Sequence, residues 1–62
     1  GQYREMARLR RATVLLENTN YSISEIAERC GIDDAYYFST RFRKFFGESP
    51  RAYRNRYRKS VE

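Results

Sequence analysis

The sequence predicts an all-α fold, a small bundle of helices, and three observations support this. Apolar residues recur at helical spacing from Gln2 to Asn18, where no glycine or proline interrupts the run. Residues 22–46 have the pattern of two helices separated by a glycine, and Ser49-Pro50 is a typical start of one more helix. The 62 residues allow one small domain, or part of one, with a marginal core.

The charge balance is basic, and nearly all of the cations are arginines. The chain has 13 basic and 8 acidic residues, for a formal net charge of +5, and eleven of the basic residues are arginines. Arginine binds phosphate bidentately and stacks on bases. The composition therefore favours a nucleic-acid partner over a merely solvated basic surface.

The sequence argues against an enzyme, a metal site, a cofactor and a membrane protein. Histidine is absent, and the single cysteine, Cys30, falls on an apolar face and cannot form an intrachain disulfide. The acidic pair Asp33-Asp34 has a helix-cap position that accounts for it without catalysis. Apolar runs are too short to span a bilayer and no signal peptide is visible, so we expect a cytoplasmic protein.

The first helix is predicted to run from Gln2 to Asn18. Its apolar stripe consists of Met6, Leu9, Ala12, Thr13, Leu15 and Leu16. Arginines take many of the other positions, and we favour a scaffold helix with a solvated basic face over a helix that contacts DNA. A helix lying on a membrane surface is a weaker alternative, because the stripe lacks exposed Phe or Trp anchors.

Residues 22–25 have the pattern of a capping box that starts a short helix from Ile23 to Cys30. In such a box the Ser22 hydroxyl accepts from the Glu25 amide, and the Glu25 carboxylate accepts from the Ser22 amide. Tyr21 and Ile26 stand at the hydrophobic-staple positions beside the cap. The predicted inner face of the helix consists of Ile23, Ile26, Ala27 and Cys30.

Gly31 marks a turn, after which a second helix is predicted from Asp34, its N-cap, to Phe46, with Gly47 ending it. The aromatic residues within about one third of its circumference form the inner face: Phe38, Phe42, Phe45 and Phe46. The opposite side carries Tyr36, Thr40, Arg43 and Lys44, with Ala35 and Ser39 at its margin. This is the layout of a helix-turn-helix of the homeodomain-like type, whose second helix enters the major groove of DNA.

A closing helix is predicted over residues 49–59, with Ser49 as its N-cap and Pro50 at its first position. We expect Ala52, Tyr53 and Tyr57 to face inward. The exposed amides at this helix start, together with Arg51, form a candidate phosphate site.

Three ordered runs carry a family resemblance. They are Arg8-Leu9-x-x-Ala12-x-x-Leu15-Leu16, Ser22-Ile23-x-Glu25-Ile26-Ala27-x-x-x-Gly31-Ile32-x-Asp34-x-x-Tyr37-Phe38-x-x-x-Phe42, and Phe46-Gly47-x-Ser49-Pro50-x-x-Tyr53-Arg54. Over residues 3–54 the chain resembles the AraC/XylS family of bacterial transcriptional regulators. The resemblance implies the linker helix and the second, C-terminal helix-turn-helix subdomain of a regulator. The first subdomain and the effector-sensing domain would then belong to the same parent chain.

The resemblance also implies double-stranded DNA as a partner, an activator role and contact with RNA polymerase. The positions at which the family contacts bases fall on Ala35, Tyr36, Ser39 and Thr40. The positions at which it contacts phosphate fall on Ser22, Ile23, Arg43, Pro50 and Arg51. The chain departs from the family at Ile32, where Phe is usual, at Tyr36, which is larger than usual, and at Thr40, which replaces a frequent Arg.

Two functions remain open at this point. The leading one is sequence-specific binding of double-stranded DNA, as half of the DNA-binding unit of a regulator. The alternative is a protein-interaction module, because short helices with an arginine-rich surface can dock an acidic partner, including an RNA polymerase subunit.

Overall fold

The computed structural model describes residues 2–61, with the side chains of residues 4–58, and this part of the chain forms four helices. Helix α1 spans Gln2–Asn18, α2 spans Ile23–Arg29, α3 spans Ala35–Phe46 and α4 spans Pro50–Val61. No strand occurs within residues 2–61, so the predicted all-α fold is confirmed. Helix α1 packs against α2 and α4, and α3 packs against the same two helices.

The core lies where the apolar faces of α1, α2 and α3 meet. Its buried residues are Leu9, Ala12, Leu16, Ile26, Ala27, Cys30, Ile32, Phe38 and Phe42. Phe38 and Phe42 are the largest fully buried side chains, and their ring centroids lie 5.9 Å apart. Burying one such side chain contributes about 1.5–3 kcal/mol, so the aromatic face of α3 largely fixes how this helix is rotated.

The start of α2 contains half of the predicted capping box. The Ser22 hydroxyl accepts from the Glu25 amide at 3.1 Å. The Glu25 carboxylate pairs instead with Arg29, one turn further along the helix, at 2.8 Å. The predicted return bond to the Ser22 amide is therefore wrong, because a charged donor at i+4 competes better for the carboxylate than a backbone amide does. The Arg29 guanidinium also lies 4.2 Å from the ring centroid of Tyr21.

The turn between α2 and α3 has the predicted glycine conformation. Gly31 has φ +84°, and the Ile32 amide donates to the Ala27 carbonyl at 2.9 Å, which closes the end of α2. At the start of α3 the Asp34 carboxylate accepts from the amides of Tyr36 and Tyr37 at 2.9 and 3.2 Å. Gly47, with φ +82°, ends the helix. Turn and caps together set the angle between the two helices.

Helix α4 differs from its prediction in length and in orientation. It begins as predicted, with the Ser49 hydroxyl accepting from the Ala52 amide at 3.1 Å, but it continues to Val61, past the predicted end at residue 59. No glycine or proline follows Pro50 to stop it. Ala52 and Tyr57 were expected to face inward, yet both are exposed, because α4 makes contact mainly through a stripe that includes Tyr53 and Arg54.

Arg54 attaches α4 to the end of α1, which the sequence did not predict. Its guanidinium donates to the carbonyls of Leu16 and Thr19, both at 3.2 Å. Arg58 donates to the Thr19 carbonyl as well. The last carbonyls of a helix have no partner within the helix, so these arginines satisfy groups that would otherwise need water. Burial lowers the pKa of Arg54, as expected for a guanidinium set between two helices.

Candidate nucleic-acid interface

The outer face of α3 is open to solvent. This face consists of Ala35, Tyr36, Ser39, Thr40, Arg43 and Lys44. Tyr36 is 81% exposed, and Thr40, Arg43 and Lys44 are also exposed, whereas Ala35 and Ser39 are half-buried at the margin. The face is turned to solvent because the opposite face of the helix carries the two buried phenylalanines.

The polar groups of this face have defined hydrogen-bonding capacity. The Thr40 hydroxyl donates to the Tyr36 carbonyl at 3.0 Å, so in this conformation its oxygen remains as an acceptor, and the Thr40 methyl group adds apolar surface. The Tyr36 hydroxyl can donate or accept. An acceptor oxygen suits an exocyclic amino group of adenine or cytosine, and a methyl group suits the thymine methyl.

The outer face of α3 carries two cations and no acidic side chain. No acidic residue occurs between Asp34 and Glu48. Arg43 and Lys44 have no carboxylate partner among the described residues. Two cations near the C-terminal end of α3 are therefore free to contact phosphate.

A second part of the interface is an open cleft of about 400 Å³ between the starts of α2 and α4. It is lined by Ser22, Ile23, Ser24, Arg51, Arg54 and Asn55. The hydroxyls of Ser22 and Ser49 each satisfy one amide of their helices, while the first-turn amides of Ile23, Ser24 and Arg51 have no partner within either helix. The cleft thus combines amide donors with arginine side chains.

The cleft brings together three of the predicted phosphate-contacting residues, Ser22, Ile23 and Arg51. Ile23 is half-buried and packs on the core, so it can contribute its amide but little of its side chain. Pro50 is fully buried and has no amide hydrogen, and its contact with phosphate stays a prediction. Its fixed φ and missing amide hydrogen suit the first position of α4.

A cluster of side chains beside the outer face of α3 was not predicted from the sequence. The Arg41 guanidinium binds the Glu5 carboxylate bidentately, with Nε–Oε1 at 2.8 Å and Nη2–Oε2 at 3.0 Å. The Tyr37 hydroxyl donates to the same carboxylate at 3.2 Å. The bond from Arg41 lowers the pKa of Glu5, although partial burial opposes the shift. The i, i+4 spacing of Tyr37 and Arg41 signals a shared face, but nothing local points to Glu5.

The described residues contain no group of His, Cys, Asp and Glu side chains arranged to hold a metal ion. None of the four helices, within residues 2–61, combines the length and the apolar character needed to cross a lipid bilayer.

Comparison with known proteins identifies the family. Residues 1–56 match the family described as a helix-turn-helix domain. The chain belongs to the AraC/XylS family of bacterial transcriptional regulators. This family is one of transcription regulators and not of enzymes. The membership confirms the resemblance inferred from the Ile-Ala-x-x-x-Gly-Ile run and its surroundings.

Two relatives within the AraC/XylS family are transcriptional activators named RhaR. The protein from Mannheimia succiniciproducens is 48% identical over 57 residues, which are 92% of this chain and 21% of the relative. The protein from Yersinia pseudotuberculosis is 43% identical over 60 residues, 97% of this chain and 21% of the relative. The chain therefore spans about a fifth of the length of the curated relatives it matches.

A solved structure has the same fold. It is the C-terminal domain of the two-component response regulator YesN from Fusobacterium nucleatum, with a TM-score of 0.84 and 38% sequence identity. The match covers 86% of this chain and 52% of that domain.

Proposed function

We propose that this chain binds double-stranded DNA sequence-specifically, as half of the DNA-binding unit of a transcription regulator, with α3 in the major groove. The observation that carries the proposal is the exposed outer face of α3. This face has no acidic group, and its Tyr36 side chain is 81% exposed. An α-helix fits the width of the major groove, where side chains can distinguish all four base pairs.

We infer contacts of two kinds. Ala35, Tyr36, Ser39 and Thr40 lie in the first half of α3, the part of a groove-bound helix that meets base edges. Arg43 and the cleft residues Ser22, Ile23 and Arg51 supply charge and amide donors for the phosphates on either side. Phosphate contacts would orient the domain, and the contacts of α3 would select the sequence.

Family membership supports the wider role. We infer that α1 is the linker helix of a two-subdomain unit, and that the first subdomain and an effector-sensing domain belong to the same parent chain in the bacterial cytoplasm. Because the two relatives are activators, we infer an activator that also contacts RNA polymerase. A single module makes few phosphate contacts, so the isolated chain would bind in the range of about 10⁻⁴–10⁻⁶ M at physiological salt.

The test is a binding-site selection with the wild-type chain, a Tyr36→Ala variant and a Tyr57→Ala variant, run at low salt. Tyr36→Ala removes a side chain that makes no core contact, so the domain stays folded. It should relax the preference at one or two base pairs, by about 1–3 kcal/mol per lost base contact. Tyr57→Ala, an equal change on α4, should leave the preference unchanged. An unaltered preference in Tyr36→Ala would refute the placement of α3 in the groove.

A protein-interaction role is the second candidate, favoured by one observation. The outward side of α1 carries Arg4, Arg8, Arg10 and Arg11, all exposed, with Val14 at 55% exposure beside them. Footprinting of the parent regulator separates the two functions. Protection of two successive major grooves fits DNA binding by both subdomains, and protection of a single groove fits a docking role for this one.

A further inference from the structure

One carboxylate from α1 holds two side chains at the edge of the outer face of α3. Glu5 binds Arg41 through both of its oxygens and accepts from the Tyr37 hydroxyl. The side chains of Arg41 and Glu5 are 25% and 18% exposed. We call Glu5, Tyr37 and Arg41 the Glu5 cluster.

The position of the cluster relates it to the proposed groove contacts. At about 100° per residue, Tyr37 and Arg41 lie roughly 60° and 100° around α3 from Thr40, on the side nearest to Lys44. Tyr37 is 49% exposed, and the Arg41 guanidinium lies 5.6 Å from the ring centroid of Phe45. The cluster therefore borders the outer face, where a major groove has its flanking phosphates.

The pairing determines what Arg41 can do. The side chain of a free arginine at this border is long enough to reach a DNA phosphate. Because phosphates are the same in every DNA sequence, such a contact raises the affinity for all sequences alike. Bound bidentately by Glu5, the guanidinium has its charge neutralised and its direction fixed. Arg43 and Lys44, on the same helix, have no such partner among the described residues.

We propose that Glu5 is a specificity-determining residue, which withholds Arg41 from the DNA backbone and so keeps the affinity for non-specific DNA low. Glu5 acts through Arg41 and Tyr37 and touches no DNA itself, so its role is one of positioning. The proposal rests on the proposed DNA-binding function of the chain and adds a residue of α1 to it.

The test measures binding of random-sequence duplex DNA as a function of salt concentration, by fluorescence anisotropy, with the wild-type chain and Glu5→Gln. The variant keeps the size of the side chain but removes its charge, which frees Arg41. One additional phosphate contact steepens the slope of log K against log salt by about 0.9. At 0.1 M salt this amounts to roughly eightfold tighter non-specific binding.

Three further variants make the result specific to Arg41. Glu28→Gln removes an exposed carboxylate with the same change in net charge and should leave the slope at the wild-type value. Glu5→Gln/Arg41→Gln should return the slope to the wild-type value, because the released guanidinium is gone. Arg41→Gln alone should also leave it unchanged, since a withheld arginine contributes no phosphate contact. A purely structural role for Glu5 would weaken binding to all DNA without steepening the slope.

Several outcomes would overturn the proposal. They are an unchanged slope in Glu5→Gln, an equal steepening in Glu28→Gln, and a slope reduced by about one in Arg41→Gln, which would mean that Arg41 already contacts phosphate. The last variant tests the proposal even if Glu5→Gln fails to fold. Failure of the underlying function is distinguishable, because the binding-site selection with the wild-type chain would then recover no preferred sequence, whatever the salt dependence of its binding.

Discussion

The variant Arg54→Met tests how helix α4 is attached to the end of α1. Methionine preserves most of the aliphatic stem of arginine but removes the donors to the carbonyls of Leu16 and Thr19. Hydrogen bonds from charged donors contribute about 1.5–3 kcal/mol each, and both bonds are long at 3.2 Å and only half-buried, so about 1 kcal/mol each is appropriate. The expected loss of unfolding free energy is about 2 kcal/mol.

Such a loss is a large part of the total stability of this chain. At about 0.05–0.15 kcal/mol per residue, a domain of this length has roughly 3–9 kcal/mol. Urea denaturation followed by circular dichroism measures the change, and with an m-value near 1 kcal/mol/M the midpoint should fall by about 2 M. Arg51→Met is the matched control, because Arg51 has the same charge on the same helix but is exposed. Equal midpoints for the two variants would refute the assigned role of Arg54.

Two other predictions concern the two glycines that end helices and the half-buried phenol of Tyr53. Gly31→Ala and Gly47→Ala should each lower the unfolding free energy by about 1–2 kcal/mol, since both residues have φ above +80° and an added Cβ at Gly31 would make only ordinary contact with Arg8, at 3.6 Å. A much larger loss at Gly31 in urea denaturation would mean that steric conflict dominates there. Burial, aided by the hydrogen bond to Glu17, raises the pKa of Tyr53 to about 12. The raised pKa means that the folded state favours the protonated phenol, so this contribution to stability is complete below about pH 10 and is lost as the pH rises toward 12. Ultraviolet titration should show a late phase of tyrosine ionisation that Tyr53→Phe removes.

The features of the fold that depend on residues close together in the sequence could be predicted. The aromatic spacing of α3 gave Phe38 and Phe42 as core residues, and both are fully buried. Ser22 and Asp34 were identified as caps because a short polar side chain bonds to amides two or three residues ahead. Each of these interactions closes within one helical turn, so the local pattern contains both partners.

The interactions that join the helices could not be predicted in this way. Arg41 and Glu5 are 36 positions apart, and Arg54 and Leu16 are 38 apart. With eleven arginines in the chain, composition and spacing do not determine which arginine pairs with which acceptor. The same limit explains the error at Ala52, since the rotation of α4 depends on which of its residues meets the end of α1.

These unpredicted contacts use the two ends of the same helix. Glu5, near the start of α1, binds the edge of α3, and the Leu16 carbonyl, near its end, binds Arg54 of α4. The two residues are eleven positions apart on the helix, about 16 Å along its axis. Helix α1 therefore connects the edge of the outer face of α3 to the cleft beside Arg51 through polar contacts at its two ends. In the proposed DNA complex the outer face would meet bases and the cleft would meet phosphate. The distance along the duplex between the base contacts and the phosphate contact would then depend on α1, although α1 itself touches no base in this binding mode.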